Sequence, residues 1–468
     1  MNTTNIFCRF QIIKQTICLS VCLFLMSGCE DFLEVDDPFG QIPHQEVFED
    51  EATATAAVTT LYGKLRDQIL LTGNFSGVGF TMGLYADELD YYNIPGHALE
   101  LLYQHQVLPS NSVVESTWNN SYHLIYLGNV ALEGLDTSET LPEAVKNQLK
   151  GEVLFIRALA HFYLVNLYGD VPYITTTDYE VNSQVSRMPA DIVYENIITD
   201  LTEAKLLLGD AYVSGERTRA NRWAVSALLA RVYLYIGQWE NAENESSLLI
   251  NNSLLFNLET NIENEFLRES LSAILQLTPK NAGDSTLEAS IFIFSSGMPP
   301  FAALNESLVE DMETDDLRRE HWIGLVTDGT NIFYYPNKYK QNTNTGVSLE
   351  YSIIFRLAEQ YLIRAEARTM QSNIGGAQQD INAIRQRAGL ENTSASTTEE
   401  LLQAILKERR FELFTEHGHR WFDIRRFGVA GEVLAPIKPN WRPTNVLLPI
   451  PESELLMNPN LNPQNPGY

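Results

Sequence analysis

Residues 151–172 read Gly-Glu-Val-Leu-Phe-Ile-Arg-Ala-Leu-Ala-His-Phe-Tyr-Leu-Val-Asn-Leu-Tyr-Gly-Asp-Val-Pro. From Val153 the apolar side chains Ile156, Ala160, Tyr163 and Leu167 recur at intervals of three and four, which places them on one face of an α-helix. Phe155, Leu159 and Phe162 widen that face and predict a helix buried on most sides. Gly169 and Pro172 stop it, glycine by leaving helical dihedrals easily and proline by lacking the N–H a helix needs. Long buried helices are therefore expected to carry the fold.

Working outward, Tyr194 to Leu208 repeats the pattern with Ile197, Leu201, Ala204 and Leu208 on one stripe. Over Trp223 to Ile236 and just beyond, Ala230, Tyr233, Gly237 and Ala242 fall at the offsets of a tetratricopeptide helix pair. Small Ala and Gly let two helices approach, and the Tyr ring fills the hole beside them. The same arrangement recurs at Ala358, Tyr361 and Ala365, followed after Gly375-Gly376 by Ala377, with a weaker echo at Ala160 and Tyr163. The expected fold class is mainly α, a tetratricopeptide-like helical-repeat scaffold with a loop-rich, irregular ligand-binding face. That face is sought in two stretches without long periodic runs, about 72–112 and 258–350, the second containing a strand-like piece from Ser290 to Ser295. The tail from Lys438 is too dense in Pro and Asn for regular helix.

The chain has 468 residues, with 32 Lys and Arg against 60 Asp and Glu, a formal charge of −28. Such a chain repels a phosphate backbone, so no nucleic acid partner is expected. All four cysteines, Cys8, Cys18, Cys22 and Cys29, lie in the first 29 residues. The body therefore has no thiol nucleophile, disulfide framework or Cys-based zinc site. Arg9 and Lys14 begin a signal-like segment, Ile17 to Met26 is an apolar run too short to span a bilayer, and Ser27-Gly28 precede Cys29. This resembles a bacterial lipoprotein signal with Met26 where Leu is usual. It predicts removal of residues 1–28, lipid on Cys29, and a single body over 29–468 held to the membrane by its N-terminal lipid only. Glu30, Asp31 and Glu34 resemble a surface-export signal of Bacteroidota lipoproteins.

Several blocks match one family in order. Gly151 to Pro172 resembles the most recognisable helix of SusD/RagB proteins. So do Arg356-Leu357-Ala358-Glu359-Gln360-Tyr361-Leu362-Ile363-Arg364-Ala365-Glu366-Ala367 and Ile384-Arg385-Gln386-Arg387-Ala388-Gly389-Leu390. Glu408-Arg409-Arg410-Phe411-Glu412-Leu413, Arg420-Trp421-Phe422-Asp423-Ile424-Arg425-Arg426, Leu448-Pro449-Ile450-Pro451 and Asn465-Pro466-Gly467-Tyr468 follow. The resemblance implies an outer-membrane lipoprotein facing the cell exterior. It would bind an oligosaccharide or peptide nutrient and pass it to a SusC-type TonB-dependent transporter, without catalysis and without a cofactor.

Binding candidates are aromatic residues beside polar groups in the two irregular stretches: Tyr85, Asp87, Tyr91, Tyr92 and Asn93 in the first, Trp322, Tyr334 and Tyr335 in the second. A flat ring stacks on the apolar face of a sugar while Asp and Asn bind its hydroxyls; the competing reading is that these rings pack loops onto the scaffold. Arg157, Glu359, Arg364, Glu366, Glu408, Arg409 and Asp423 lie on or beside apolar helical faces and are expected to pair across helices, each Arg offering its fork to a carboxylate. Two of those carboxylates acting as acid and base would make a surface glycoside hydrolase, one alternative. An envelope tetratricopeptide scaffold protein is the other. His417-Gly418-His419 lacks the helical i, i+4 metal-site spacing and reads as a helix end broken by Gly418, so no metal is expected.

Overall fold

The computed structural model describes residues 44–468. The chain divides into two compact units, Met1–Val47 and Phe48–Tyr468; of the first, only the helix His44–Val47 is described. Cys29, the other cysteines and the expected signal at 1–28 lie outside the described residues.

The second unit is built on α1 (Glu51–Asp67), α2 (Val78–Tyr85), α3 (Ser112–Thr137), α4 (Glu143–Tyr168), α5 (Ala190–Leu207), α6 (Arg222–Tyr235) and α7 (Trp239–Ile250). They are followed by α8 (Leu357–Met370), α9 (Ile374–Arg387), α10 (Thr398–Glu412) and α11 (His419–Arg426). Local chemistry sets several starts. Asp50 and Asn221 accept the first free N–H groups of α1 and α6, and Thr397 with Glu400 forms a capping box at α10. The helix read from residues 151–172 is α4; from Gly151 to Tyr168 every residue is buried.

The alanines do what their spacing predicts. Ala230, Leu234 and Ala242 pack with Ile363 and Ala367, with Tyr233 against the cluster, joining α6 and α7 to α8. Ala365 packs with Ala377, Ile381, Leu401 and Ile405, joining α8 to α9 and α10. Gly237 turns the chain between α6 and α7 at φ +71°, a dihedral disfavoured for residues with a Cβ. The result is a mainly helical, tetratricopeptide-like scaffold.

The buried arginines couple these helices. Arg157 of α4 holds Asp200 of α5 through two bonds of 2.7 Å. Arg231 of α6 grips Glu359 of α8 at 2.6 and 2.8 Å, Arg364 of α8 holds Asp380 of α9 at 2.7 Å, and Arg409 of α10 holds Asp423 of α11 at 2.7 Å. Each of these carboxylates is committed to a guanidinium, which is the helix-tying arrangement.

The strands are β1 (Leu89–Tyr91), β2 (Ala273–Leu277), β3 (Ala302–Leu304), β4 (Ile323–Thr327), β5 (Ile332–Pro336) and β6 (Ser352–Arg356). β2 and β6 form a buried two-stranded sheet; the other four form an antiparallel sheet in the order β1-β3-β5-β4. Three local expectations change. Ser290 to Ser295 is not a strand: Leu287–Phe292 is a short helix started by the Thr286 hydroxyl, which accepts the Ala289 N–H. The Pro-rich tail holds one short α-helix, Glu452–Met457, between two single 3-10 turns, Pro443–Val446 and Pro459–Leu461; Pro451 is its N-cap, a place where a missing N–H costs nothing. Gly418, at φ +75°, does not end a helix but caps the start of α11.

Candidate functional site

The four-stranded sheet joins the two irregular stretches. β1 belongs to the first and β3, β5 and β4 to the second, and β3 pairs with both β1 and β5. The pairing Leu89↔Leu304 and Leu304↔Tyr334↔Leu325 fixes the faces, because side chains alternate along a strand. Asp90, Phe333 and Tyr335 fall on one face, where the ring of Tyr92 meets that of Phe333 edge-on at 5.5 Å. Tyr91, Tyr334, Leu325 and Ile332 fall on the other, where Leu325 and Ile332 are 64% and 59% exposed.

Five of the eight binding candidates are therefore assembled on or beside one sheet. Tyr91, Tyr92, Asn93, Tyr334 and Tyr335 are each half-buried, with ring or amide still open to solvent. The Tyr92 N–H donates to the Phe301 carbonyl at 2.8 Å, fixing the end of β1. Tyr91 donates its hydroxyl to the Ile94 carbonyl at 3.1 Å, and the Asn93 side chain accepts the Ile94 N–H at 2.7 Å.

The other three candidates are corrected: Tyr85, Asp87 and Trp322 belong to the interior. Tyr85 is fully buried at the end of α2, donates to the Asn445 carbonyl at 2.9 Å and meets Trp421 edge-on. Asp87 accepts both arms of the Arg420 fork at 2.7 and 2.9 Å, with Arg410 3.1 Å away. Burial raises its carboxyl, yet the two guanidiniums hold it below the ordinary value. Trp322 is 1% exposed, its indole N–H donating to the Ile262 carbonyl at 3.2 Å. Lys338, Arg356 and Arg387 lie over its ring at 5.2, 5.8 and 5.5 Å. The indole thus walls a buried charge cluster, where cation–ring attraction is strengthened by the absence of water.

That cluster roots the site. Arg356, at the end of β6, forks onto Glu416 at 2.8 and 2.9 Å, contacts Glu412 and reaches Glu265 at 3.2 Å. Arg387 and Arg318 also bind Glu412. Burial raises Glu412, but Arg387, Arg356 and Arg318 outweigh it and hold it well below the ordinary carboxyl range. Lys338, two residues past β5, donates to the carbonyls of Glu412 and Phe414 at 2.9 Å and to Glu416. The β4–β5 hairpin is thereby anchored at its base to α9 and α10.

Sequence reasoning missed three further rings. Phe294 packs on Tyr335 with centroids 5.4 Å apart, and Phe75 lies 4.4 Å from Phe301; all three phenylalanines are half-buried. For Phe294 and Phe301 the available signal was the Gly297 and Pro299-Pro300 breakers beside them, hidden by reading 290–295 as a strand; for Phe75 it was the flanking Gly73 and Gly77. One glycine aims the surface: a Cβ on Gly324 would lie 2.1 Å from the Tyr335 ring, so the ring rests on a bare backbone. Gly324→Ala should push Tyr335 off β4 while leaving the melting temperature within a few degrees, because a half-exposed ring can swing. Near-UV circular dichroism against the melting curve checks this; a collapse in stability with unchanged aromatic signal would refute it.

His417 and His419 are buried, and burial pushes the first below the ordinary imidazole value and the second well below it. His417 Nε2 is 2.7 Å from the Ile353 carbonyl. No cluster of metal-ligating side chains occurs among the described residues, and none of their helices is long and apolar enough to cross a membrane.

Residues 89–234 match a family model described as starch-binding, associating with outer membrane, and residues 322–468 match the model of the SusD family. SusD-like protein P2 of Formosa agariphila is 28% identical, over 97% of this chain and all of that one. Starch-binding protein SusD of Bacteroides thetaiotaomicron is 25% identical over 71% of this chain and 75% of its own. The fold is also that of a laminarin-binding SusD-like protein, with a TM-score of 0.75 at 24% identity, over 90% of this chain and all of that one. With both family models matched in order and the fold shared over nine-tenths of its length, the chain belongs to the SusD/RagB family.

Proposed function

We propose that this protein captures a glycan at the cell surface and passes it, uncut, to a SusC-type TonB-dependent outer-membrane transporter, while lipid on Cys29 holds it to the membrane. One observation carries the reading: a single sheet gathers half-exposed Tyr92 and Tyr335, far apart in sequence, on the side that bears Asp90. Such a surface matches a sugar, whose C–H face takes a ring and whose hydroxyls take amide and carboxylate oxygens. The starch- and laminarin-binding relatives support a glycan cargo over a peptide. Delivery to the transporter is the part of the reading that the family resemblance supports.

The test is retardation of the soluble body, starting after Cys29, in gels containing a panel of polysaccharides, with released chain ends assayed in parallel. Tyr92→Ala and Tyr335→Ala should each weaken retention by the responsive polymer roughly tenfold, about 1.4 kcal/mol for a lost stacking ring. No new chain ends should form. Retention indifferent to both substitutions would sink this surface as the site, and new ends would sink capture without turnover.

A further inference from the structure

The charges around the sheet are arranged unevenly. Asp90 lies on the face of Tyr92 and Tyr335, half-buried between neutral donors: the Asn305 amide reaches both its oxygens at 3.1 and 3.0 Å, and the Tyr103 hydroxyl reaches one at 3.0 Å. Among the described residues no Lys or Arg nitrogen forms an ion pair with it; its hydrogen-bond donors are neutral. Asn305 also caps the short helix Glu306–Glu310, whose Glu306 and Glu310 are exposed. Glu100 sits on the neighbouring helix Ala98–Tyr103, bonded to the Gly96 N–H and, at 3.1 Å, to the Gln104 amide.

The cations of this region are turned away. Lys438 is buried, donating to the Leu84 carbonyl at 3.1 Å with its ammonium over the Tyr103 ring. The charges of Asp90 and Asp87 reach it there, so it offsets Asp90 in part from inside, while among the described residues Glu306, Glu310 and Glu100 have no such counter-charge beside them. Arg410 is divided between Asp311 at 2.6 Å and Asp87 at 3.1 Å; Arg420 is consumed by Asp87, and Lys338 by Glu416. Negative charge is thus left facing the tyrosines while positive charge is neutralised inside. The tyrosine hydroxyls register the imbalance. That of Tyr92 is raised by burial and then by Asp90 and Glu306, and that of Tyr91 by burial and then by Glu100.

We infer that this surface selects uncharged glycans and rejects acidic ones, polyuronates and sulfated polymers alike, with Asp90 and Glu306 as the carboxylates that set the choice. A carboxylate accepts hydrogen bonds from sugar hydroxyls, so the groups that welcome a neutral chain repel a uronate or sulfate in the same place. The repulsion acts across partly exposed surface, so salt screens it, over a Debye length of about 10 Å at 0.1 M.

This inference rests on glycan capture at the sheet, and the experiment separates the two. The soluble body and the double variant Asp90→Asn/Glu306→Gln are run in affinity gels at low and high salt. The probes are laminarin, amylopectin and xyloglucan against polygalacturonate, alginate and a sulfated galactan, with Tyr92→Ala as the site control and thermal melting as the fold control. At low salt one or more uncharged polymers should retard the protein at least about tenfold more than any acidic one. The double variant should raise the ratio of acidic to neutral affinity several-fold, and the gain should shrink at high salt. An acidic polymer held as tightly as the best neutral one, or a folded double variant with an unchanged ratio, overturns the selectivity and leaves capture standing. Retention by no polymer, or retention that Tyr92→Ala does not weaken, removes the glycan site itself.

Discussion

Arg356→Met should lower folding stability by about 3–5 kcal/mol, the size expected when one partner of a buried ionic cluster is removed and its counter-charges are left in a dry interior. Arg356 is 1% exposed and is shared by Glu265, Glu412 and Glu416, all buried. Arg387 also serves two of those three carboxylates, Glu265 and Glu412, and Lys338 serves the third. Methionine fills much of the volume without the fork, so the loss reports charge and hydrogen bonding more than cavity. Arg356→Lys should recover little of it, because one ammonium cannot reproduce the two-armed grip on Glu416. Denaturant unfolding followed by tryptophan fluorescence reads the change, since Trp322 lies over this guanidinium. A loss below about 1 kcal/mol would mean the carboxylates find other partners and the cluster is not the anchor described.

The second large effect is a pH dependence carried by Glu88. It is 1% exposed, with one oxygen accepting the Thr415 N–H at 3.2 Å. Burial first, and the charge of Asp87 next, push its carboxyl from 4.5 to about 8. Between those limits the folded chain keeps a proton that the unfolded chain has lost. Stability from this group is therefore full below about pH 4.5 and drains away as the pH rises to about 8. The slope approaches about 1.4 kcal/mol per pH unit inside the window. Glu88→Gln, a neutral isostere that still accepts from Thr415, should remove this contribution, so that its stability relative to the parent rises across the window and exceeds the parent's near pH 7.5. Lys338, lowered by burial to about 8, Lys438, lowered to about 7, and the buried His105, His161, His417 and His419, all lowered by burial, contribute in the opposite sense; parent and variant share them, so the difference between the two curves from pH 5.5 to 7.5 is the reading. Parallel stability curves over that range for parent and variant would show that Glu88 is ionised in the fold.

The scaffold was legible because a long helix repeats its signal. α4 shows its buried face over many turns, and Ala230, Tyr233 and Ala242 can only be small-large-small where two helices touch. Short elements carry no such redundancy. Leu287–Phe292 is barely longer than one turn, and Phe292-Ile293-Phe294 suits either a strand or a helix end until Thr286 caps it. Gly418 lies between two helices, and which one it serves depends on the turn before it. The site was half legible for a related reason. Tyr92 and Tyr335 could be named as rings in irregular stretches, but their union depends on β3, a three-residue strand with no pattern of its own. Trp322 misled because an aromatic ring beside arginines reads the same at a surface as inside a charge cluster; burial alone separates the cases.

The β4–β5 hairpin is fastened at its base and, through the β3–β5 pairing at Tyr334, along one edge, but not at its tip. Below it Trp322 and Lys338 are committed to the buried charges, while its far end turns through Asp328, Gly329 and Thr330 in solvent, where the Thr330 and Asn331 N–H groups donate to the Asp328 side chain. Rings in between can be exchanged, tilted or lost without loosening the base. A lineage carrying this architecture could alter what this surface presents by rewriting a few exposed positions between Ile332 and Pro336 and around Tyr92, inheriting the buried charge cluster beneath them unchanged.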